Sequence, residues 1–242
     1  MLSSAKQSIK QVLHAMGIEA HRFNPGTSPL AQLMAALRTH EIDLVFDIGA
    51  NEGQFARELR AGGYSGRIVS FEPLTSAHNK LSLASRGDPS WQVHQRCAIG
   101  DHHGEVQINI AGNSVSSSIL PMLAAHSSAA PESVYQASET TPLTTLDMVV
   151  GQYLNGAKVP FLKIDTQGYE WFVLDGASKA LSQVGGVLME LSSTPLYEGQ
   201  HLWQESIERL QKEGFTLWSL QPVFIDQSNG RTLQWDGLFF RQ

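Results

Sequence analysis

The architecture of this chain follows from one stretch of its sequence, Leu44-Val45-Phe46-Asp47-Ile48-Gly49-Ala50-Asn51-Glu52-Gly53-Gln54-Phe55. Its apolar beginning predicts a strand at about 43–48, and the two glycines behind that strand predict a tight turn. Apolar residues then recur at helical spacing and predict a helix at about 53–61. Such a unit suits a nucleotide-like cofactor, since glycine allows a close backbone approach and a helix N-terminus offers unpaired N–H groups.

The spacing of the turn residues discriminates between cofactors. A dinucleotide site has the spacing G-x-G-x-x-G, with a pyrophosphate on the helix N-terminus. Here Asn51 replaces the second glycine, Gly53 falls one place early, and Asp47 stands at the strand end. An acid at that place would repel a pyrophosphate, but it suits the sulfonium and ammonium groups of S-adenosylmethionine. The alternative is an ordinary Gly/Asn turn with a solvated Asp47.

Two stretches carry a family resemblance. The Asp47–Gly53 segment resembles motif I of class I S-adenosylmethionine-dependent methyltransferases, and its D-I-G-A-N-x-G form is similar to the FkbM family of O-methyltransferases. The run Lys163-Ile164-Asp165-Thr166-Gln167-Gly168-Tyr169-Glu170 resembles the K-I-D-x-x-G-x-E motif of that family. The chain departs from the commonest family pattern at Thr166-Gln167, where a hydrophobic residue and Glu are frequent. The resemblance covers roughly residues 42–241.

The composition favours one globular domain. The 242 residues are 42% hydrophobic and 17% charged, and a net charge of −6 argues against a nucleic-acid partner. The single cysteine, Cys97, excludes an internal disulfide and a cysteine-rich zinc site. The start of the chain lacks a signal peptide, and no stretch approaches the ~20 apolar residues of a membrane span. The sequence therefore predicts a soluble, cytoplasmic protein.

Periodicity and turn residues predict the other elements. Two N-terminal helices, at 3–16 and from Ser28-Pro29 onward, are predicted to form a helical extension of residues 1–40 packed on a methyltransferase domain of residues 41–242. Further strands are predicted at 67–72, 91–99, 105–110, 160–165, 186–191, 215–225 and 233–241, and helices at 75–86, 144–154 and 203–213. The resemblance implies a Rossmann-like α/β sandwich, with a seven-stranded, mostly parallel sheet and an antiparallel C-terminal hairpin.

The segment 111–142 is rich in serine and alanine and is predicted to be a long irregular loop. A loop of this length is either a lid over a site or a surface excursion. His126, in this loop, either reaches the acceptor or is an ordinary surface histidine.

Cofactor contacts are predicted at the ends of successive strands. Glu72 is the expected ribose clamp, because it ends the second strand roughly 20 residues beyond the glycine turn. The resemblance implies that Ala98 contacts the adenine. Asp101 is either a second adenine-side contact or a turn residue beside His102 and His103. The complete predicted set is Asp47, Gly49, Ala50, Asn51, Gly53, Glu72, Pro73, Ala98, Asp101 and Asp165.

Two acids are the candidates for catalysis. Asp165 follows the fourth parallel strand and is predicted to be the general base, with binding of the methionine ammonium, or of a divalent metal, as alternatives. Glu190 is an acid in an apolar strand and either binds the acceptor or is a buried, hydrogen-bonded acid. A metal is not predicted, since no further ligand accompanies the adjacent histidines.

The resemblance implies O-methylation of a small-molecule or glycolipid hydroxyl acceptor. The predicted acceptor is a sugar hydroxyl, such as that of a deoxysugar in a glycolipid or another secondary metabolite. A polyketide or other small-molecule hydroxyl is the alternative within methyltransferases. An NAD-dependent oxidoreductase, which Asp47 and Asn51 disfavour, and a non-catalytic scaffold are the alternatives from other classes.

Overall fold

The computed structural model describes residues 2–19 and 21–241. Its strands are β1 Leu44–Ile48, β2 Arg67–Phe71, β3 Trp91–Val93, β4 Ala98–Ile99, β5 Gly104–Ala111, β6 Tyr135–Thr144, β7 Pro160–Ile164, β8 Gly186–Ser192, β9 Phe215–Ile225 and β10 Thr232–Arg241. Its helices are α1 Leu2–Ala15, α2 Pro29–Thr39, α3 Gln54–Ala61, α4 Thr75–Ala84, α5 Ala124–Ala129, α6 Leu146–Val149, α7 Glu170–Asp175, α8 Ser178–Leu181 and α9 Trp203–Lys212. No helix in this described part is long and apolar enough to cross a membrane.

The central sheet has seven strands in the order β3-β2-β1-β7-β8-β10-β9. β10 runs antiparallel to β8 and to β9, and the other pairs are parallel. The predicted α/β fold, with its mostly parallel sheet and antiparallel C-terminal hairpin, is therefore confirmed. The strand order reverses between β1 and β7, and an open α/β sheet binds its ligands outside such a switch point.

Both faces of the parallel strands are covered, which explains their continuous apolar sequences. Every residue of β1 and of β7 is buried. Leu44, Phe46 and Ile48 pack into the core on one face, while Val45 packs into the core on the other face, beneath α2 and α3. Strand alternation puts Asp47 on the same face as Val45. A carboxyl group thus lies inside the apolar layer under α3.

Two predictions of secondary structure were wrong. The strand expected at 91–99 is split into β3 and β4, and β4 belongs to a second sheet of order β4-β6-β5. The expected loop at 111–142 contains α5 and most of β6, which pairs antiparallel with β5. Much of β6 is exposed, so its sequence lacks the apolar alternation of a half-buried strand. Backbone pairing with β5, and not burial, forms this strand.

The two helices predicted near the N-terminus are present. The Ser28 hydroxyl accepts a hydrogen bond from the Ala31 N–H at 3.3 Å, and Pro29 is the first residue of α2, as its sequence predicts. α2 buries Met34 and Leu37 against the α3 side of the sheet. The division into domains near residue 40 stays a prediction.

Candidate functional site

A cavity of about 290 Å³ lies at the carboxyl ends of β1, β2 and β7. This is close to the lower end of the range for small-molecule sites, roughly 300–1,000 Å³. The predicted site residues in its walls are Gly49, Ala50, Asn51, Glu72, Pro73, Ala98 and Asp165. Four others lie outside its walls, namely Asp47, Gly53, Asp101 and Glu190.

The turn between β1 and α3 needs its two glycines for different reasons. Gly49 has φ +74°, and a Cβ atom on it would stand 1.8 Å from the carbonyl oxygen of Asp165. Gly53 has φ +84° and precedes α3, and a Cβ atom there would stand 2.8 Å from the ring of Trp91. Gly49 thus allows the turn after β1 to pass close to the backbone of Asp165, at the cavity. Gly53 allows the start of α3 to pack against Trp91.

Asn51 occupies the left-handed region with φ 46°, a conformation that asparagine tolerates better than most residues. Its side-chain Nδ2 lies 3.5 Å from the Ser114 hydroxyl oxygen. Its Oδ1 is buried and accepts no hydrogen bond from the described residues. A buried acceptor without a donor is costly, so this atom suits a ligand that carries an ammonium or a hydroxyl group.

Glu72 joins the end of β2 to the β1 turn. One carboxylate oxygen accepts from the Leu74 N–H at 2.9 Å, and the other accepts from the Asn51 N–H at 2.7 Å. Burial raises the pKa of Glu72 to about 7, although both N–H groups act in the opposite direction. Each oxygen keeps a further lone pair, so the carboxylate fits the two neighbouring hydroxyls of a ribose.

The wall around Ala98 is apolar, with Leu74, Ile99 and Ile108 beside it. Asp101 lies outside this wall, and its carboxylate pairs with the His102 ring at 2.7 Å in the turn after β4.

The histidines singled out in the sequence lie apart from the cavity. His126 is 2% exposed and packs between Tyr197 and Phe224, so the prediction of a surface histidine was wrong. Burial lowers its pKa to about 4. Across residues 2–19 and 21–241, no group of three or more His, Cys, Asp or Glu side chains is arranged to hold a metal ion.

Lys163 is a site residue that the sequence interpretation missed. Its ammonium group lies 3.2 Å from Asp47 and 3.5 Å from Asp165, and it donates to the Gly49 carbonyl at 2.9 Å. The other oxygen of Asp47 accepts from the Ser70 hydroxyl at 3.1 Å, and Asp47 is fully buried. Asp47 therefore supports the turn through Lys163, and it lies outside the cavity wall. A lysine within the apolar run of β7 was the available signal.

Burial alone would lower the pKa of Lys163. The neighbouring carboxylates of Asp47 and Asp165 outweigh burial and hold this pKa above its usual range. The lysine is therefore charged, and it links the β1 turn to the acids on the other side of the cavity.

The carboxamide of Gln167 joins the two acids that were the catalytic candidates. Its Nε2 donates to Asp165 Oδ1 at 2.8 Å and to Glu190 Oε2 at 3.0 Å. Gln234, on β10, donates to the same oxygen of Glu190 at 2.6 Å. The Gln167 Oε1 accepts from the Tyr197 hydroxyl at 2.9 Å. The amide orientation is thus defined, since the opposite one would put an oxygen against two carboxylates.

A third acid, Asp236, also lines the cavity and was missed by the sequence interpretation. It lies opposite Glu190 in the pairing of β10 with β8. Burial raises the pKa of Asp236 to about 7, and the Asp165 carboxylate adds to the shift. Burial, followed by the charges of Asp165, Glu170 and Asp236, raises the pKa of Glu190 well above its usual range.

The loop after β7 is held by side chains at both ends. Glu170 accepts from the N–H groups of Thr166 and Gly168, at 2.9 and 3.0 Å. Gln167 has φ 54°, and its carbonyl accepts from the Ser118 hydroxyl at 2.6 Å. The last motif residue, Glu170, thus shapes the loop that presents Asp165.

The sheet order, the glycine turn at the switch point and the acid at the end of β2 define a class I S-adenosylmethionine-dependent methyltransferase. Residues 47–217 match the family described as the methyltransferase FkbM domain, and the chain belongs to this family. Its cofactor is therefore S-adenosylmethionine, as predicted from the turn. Because the chain belongs to the FkbM methyltransferase family, the alternative of an NAD-dependent oxidoreductase is excluded.

Solved structures that align with this chain at low identity include other methyltransferases. Magnesium protoporphyrin IX methyltransferase (ChlM) from Synechocystis PCC 6803, with bound SAM, is 9% identical, with 98% of this chain and 97% of that chain covered and a TM-score of 0.47. An rRNA methylase from Streptococcus thermophilus is 11% identical, with coverages of 89% and 97% and a TM-score of 0.45. The methyltransferase domain of bacterial CtHen1-CN is 13% identical, with coverages of 90% and 100% and a TM-score of 0.48. No curated protein matches the sequence.

Proposed function

We propose that this methyltransferase methylates a hydroxyl group of a sugar, with Asp165 as the general base. The observation that carries the proposal is the position of Asp165 at the end of β7, in the cavity wall, with its side chain 38% exposed. Lys163 and Gln167 each contact one of its oxygens, which orients the carboxylate. A base needs such access to the acceptor together with a defined geometry.

The cofactor is proposed to lie across the β1 turn. Glu72 would accept from the ribose hydroxyls, and the free Oδ1 of Asn51 would accept from the ammonium or from a hydroxyl. Ala98 and Pro73 would contact the adenine from the apolar end of the cavity. Gly49 and Ala50 would line the methionine part, where no side chain caps the first turn of α3.

S-adenosylmethionine supplies an electrophilic methyl group on a positively charged sulfur. The residues of the chain orient the acceptor hydroxyl and take its proton while the O–C bond forms and the C–S bond breaks. Asp165 accepts this proton, a contribution typically of about 100- to 10,000-fold in rate. Glu190 lies outside the cavity walls, and it is proposed to act as a buried, hydrogen-bonded acid that holds the amide of Gln167, which also donates to Asp165.

The polar side chains in the cavity wall near Asp165 favour a sugar as the methyl acceptor. Asp165, Gln167 and Asp236 line the cavity, and carboxylates and carboxamides are suited to several hydroxyl groups at once. The same acids repel phosphate groups, so a nucleic-acid acceptor is disfavoured. The alternative, a polyketide or other small-molecule hydroxyl, is supported by the apolar side chains Val115, Ile119 and Leu188 in the wall.

A methyl-transfer assay with labelled S-adenosylmethionine tests the proposal. The acceptors would be a deoxysugar glycolipid, its free sugar, a polyketide with a free hydroxyl, and RNA, and NMR of the product would locate the new methyl group. We expect an O-methyl ether on a sugar. Transfer to the polyketide alone, or to nitrogen or carbon, would overturn the proposed acceptor.

Asp165→Asn separates the roles proposed for this residue. If Asp165 is the base, turnover falls at least about 100-fold, while the affinity for S-adenosylhomocysteine stays within a few fold. A comparable loss of affinity would assign Asp165 to the ammonium group instead. Titration calorimetry with S-adenosylhomocysteine supplies the comparison, since it needs no acceptor.

A further inference from the structure

The N-terminal segment exposes large apolar side chains. Among residues 7 and 10–19, whose side chains are described, only Leu13 is partly buried and the others are exposed. Val12 and Met16 are 61% and 63% exposed, and Phe23, in the following loop, is 67% exposed. A group of exposed apolar side chains marks a surface for an apolar partner.

The sequence of α1 has two distinct faces. Ile9, Val12, Leu13 and Met16 recur at helical spacing and form an apolar line of positions. Lys6, Lys10 and His14 recur every fourth residue and form a second line beside it. A helix with apolar residues on one face and cationic residues next to them is the pattern that lies in the plane of a membrane interface.

The charge of the segment is opposite to that of the whole chain. Residues 2–23 contain three basic residues (Lys6, Lys10 and Arg22) and one acid (Glu19), which gives a formal charge of +2, whereas the chain carries −6. An anionic lipid surface attracts this segment and repels most of the remaining protein. A second copy would bring two cationic segments together, so a homodimer through α1 is disfavoured.

We propose that α1, together with the exposed side chains of Met16 and Phe23, forms a docking surface for an anionic lipid membrane. α1 lies in the interfacial plane, with Val12 and Met16 among the acyl chains and Lys10 at the headgroups. Lysine is suited to this place because its long stem packs on apolar groups while its charge stays in water. The proposal does not depend on the identity of the acceptor, and it places the enzyme where hydroxyl groups of membrane lipids are available.

Vesicle co-sedimentation of the full chain tests the docking surface. The probes are vesicles of phosphatidylcholine alone and vesicles of equal parts phosphatidylcholine and phosphatidylglycerol. We expect at least about tenfold tighter binding to the anionic vesicles, and weaker binding at high salt. Equal binding to both kinds of vesicle, or binding to neither, would overturn the proposal.

A matched pair of double variants locates the surface. V12E/M16E puts two acids on the exposed face of α1 and is expected to reduce binding at least about tenfold. V134E/M148E is the control, since Val134 and Met148 are also exposed, at 52% and 63%, but lie in another part of the chain. An equal loss in both variants would place the docking surface outside α1.

The charge and the oligomeric state complete the test. K10E/R22E is expected to lose the preference for phosphatidylglycerol while keeping its affinity for S-adenosylhomocysteine, which shows that the domain is folded. If the native chain sediments as a dimer and V12E/M16E as a monomer, then a second copy covers α1 and the membrane proposal is wrong. Vesicle binding needs no methyl acceptor, so a failed acceptor assay would leave this result unaffected.

Discussion

The two ends of the cavity are built in different ways. At the cofactor end, Gly49, Asn51 and Glu72 come from two consecutive strand ends, and backbone N–H groups hold the carboxylate. At the acid end, Asp165 and Glu190 come from the consecutive strands β7 and β8 and Asp236 comes from β10, and side-chain amides hold Asp165 and Glu190. The glycine turn and the acid after β2 stand at motif spacing, whereas β10, which adds Asp236 and Gln234 to the acid end, joins it only through antiparallel pairing with β8.

The largest expected effect is at Lys163, which connects the two ends. Lys163→Met removes the ammonium group that pairs with the fully buried Asp47. Loss of one partner of a buried ion pair costs about 3–5 kcal/mol in the free energy of unfolding, which urea denaturation measures. The double variant D47N/K163M is expected to recover part of this loss. A double variant less stable than K163M would contradict the pairing.

At the cofactor end, Glu72→Gln is expected to weaken S-adenosylhomocysteine binding about 100-fold, or roughly 2.7 kcal/mol. The carboxamide has one acceptor oxygen and directs its NH₂ group at a backbone N–H. Calorimetric titration measures the change. Glu139→Gln is the matched control, because Glu139 also accepts from a backbone N–H, that of Thr75 at 2.6 Å, but lies outside the cavity. Equal losses in both variants would remove Glu72 from the ribose site.

The acid end is expected to destabilise the protein as the pH rises. The pKa of Asp236 is raised to about 7 in the folded state, from 3.8. Its contribution to stability is therefore fully present below about pH 4 and is lost as the pH rises through about 7. Asp236→Asn removes this dependence and should make the variant more stable than the native chain at pH 8, by about 1–2 kcal/mol.

Urea denaturation between pH 5 and 9 measures that difference. A stability difference that grows as the pH rises through about 7 identifies Asp236, together with its effect on the pKa of neighbouring Glu190. A variant with an unchanged slope would show that Asp236 is well solvated, and the acid end would then be less strained than its geometry indicates.

The smallest effect is expected at Ser118, which ties the segment after β5 to the acid end. Its hydroxyl donates to the Gln167 carbonyl and accepts from the Leu120 N–H at 3.0 Å. Ser118→Ala should lower the free energy of unfolding by about 1 kcal/mol and leave the affinity for S-adenosylhomocysteine within twofold. A large loss of affinity would show that the two ends are not separable.

The sequence predicted the sheet and most of the cofactor end. Apolar runs and glycines act over a few residues, so β1, the turn and α3 are visible without tertiary structure. β6 was missed, because an exposed strand that pairs along its backbone has no apolar signature. Asp47 was predicted to contact the cofactor, which stays a prediction, and its motif did not tell that its side chain is buried beside Lys163 and lies outside the cavity wall.

By itself, the sequence determined the class of fold, the cofactor and the turn that approaches it, since local spacing and backbone conformation set these features. Only the tertiary structure decided which charged groups meet. Lys163 pairs with Asp47 because these two residues are in register on the neighbouring strands β1 and β7. Asp236 lies beside Glu190 because the two are paired across β10 and β8. Gln167 joins Asp165 to Glu190 because the loop after β7 passes beside β8. Contacts of this kind depend on strand order, which no local pattern in the sequence encodes.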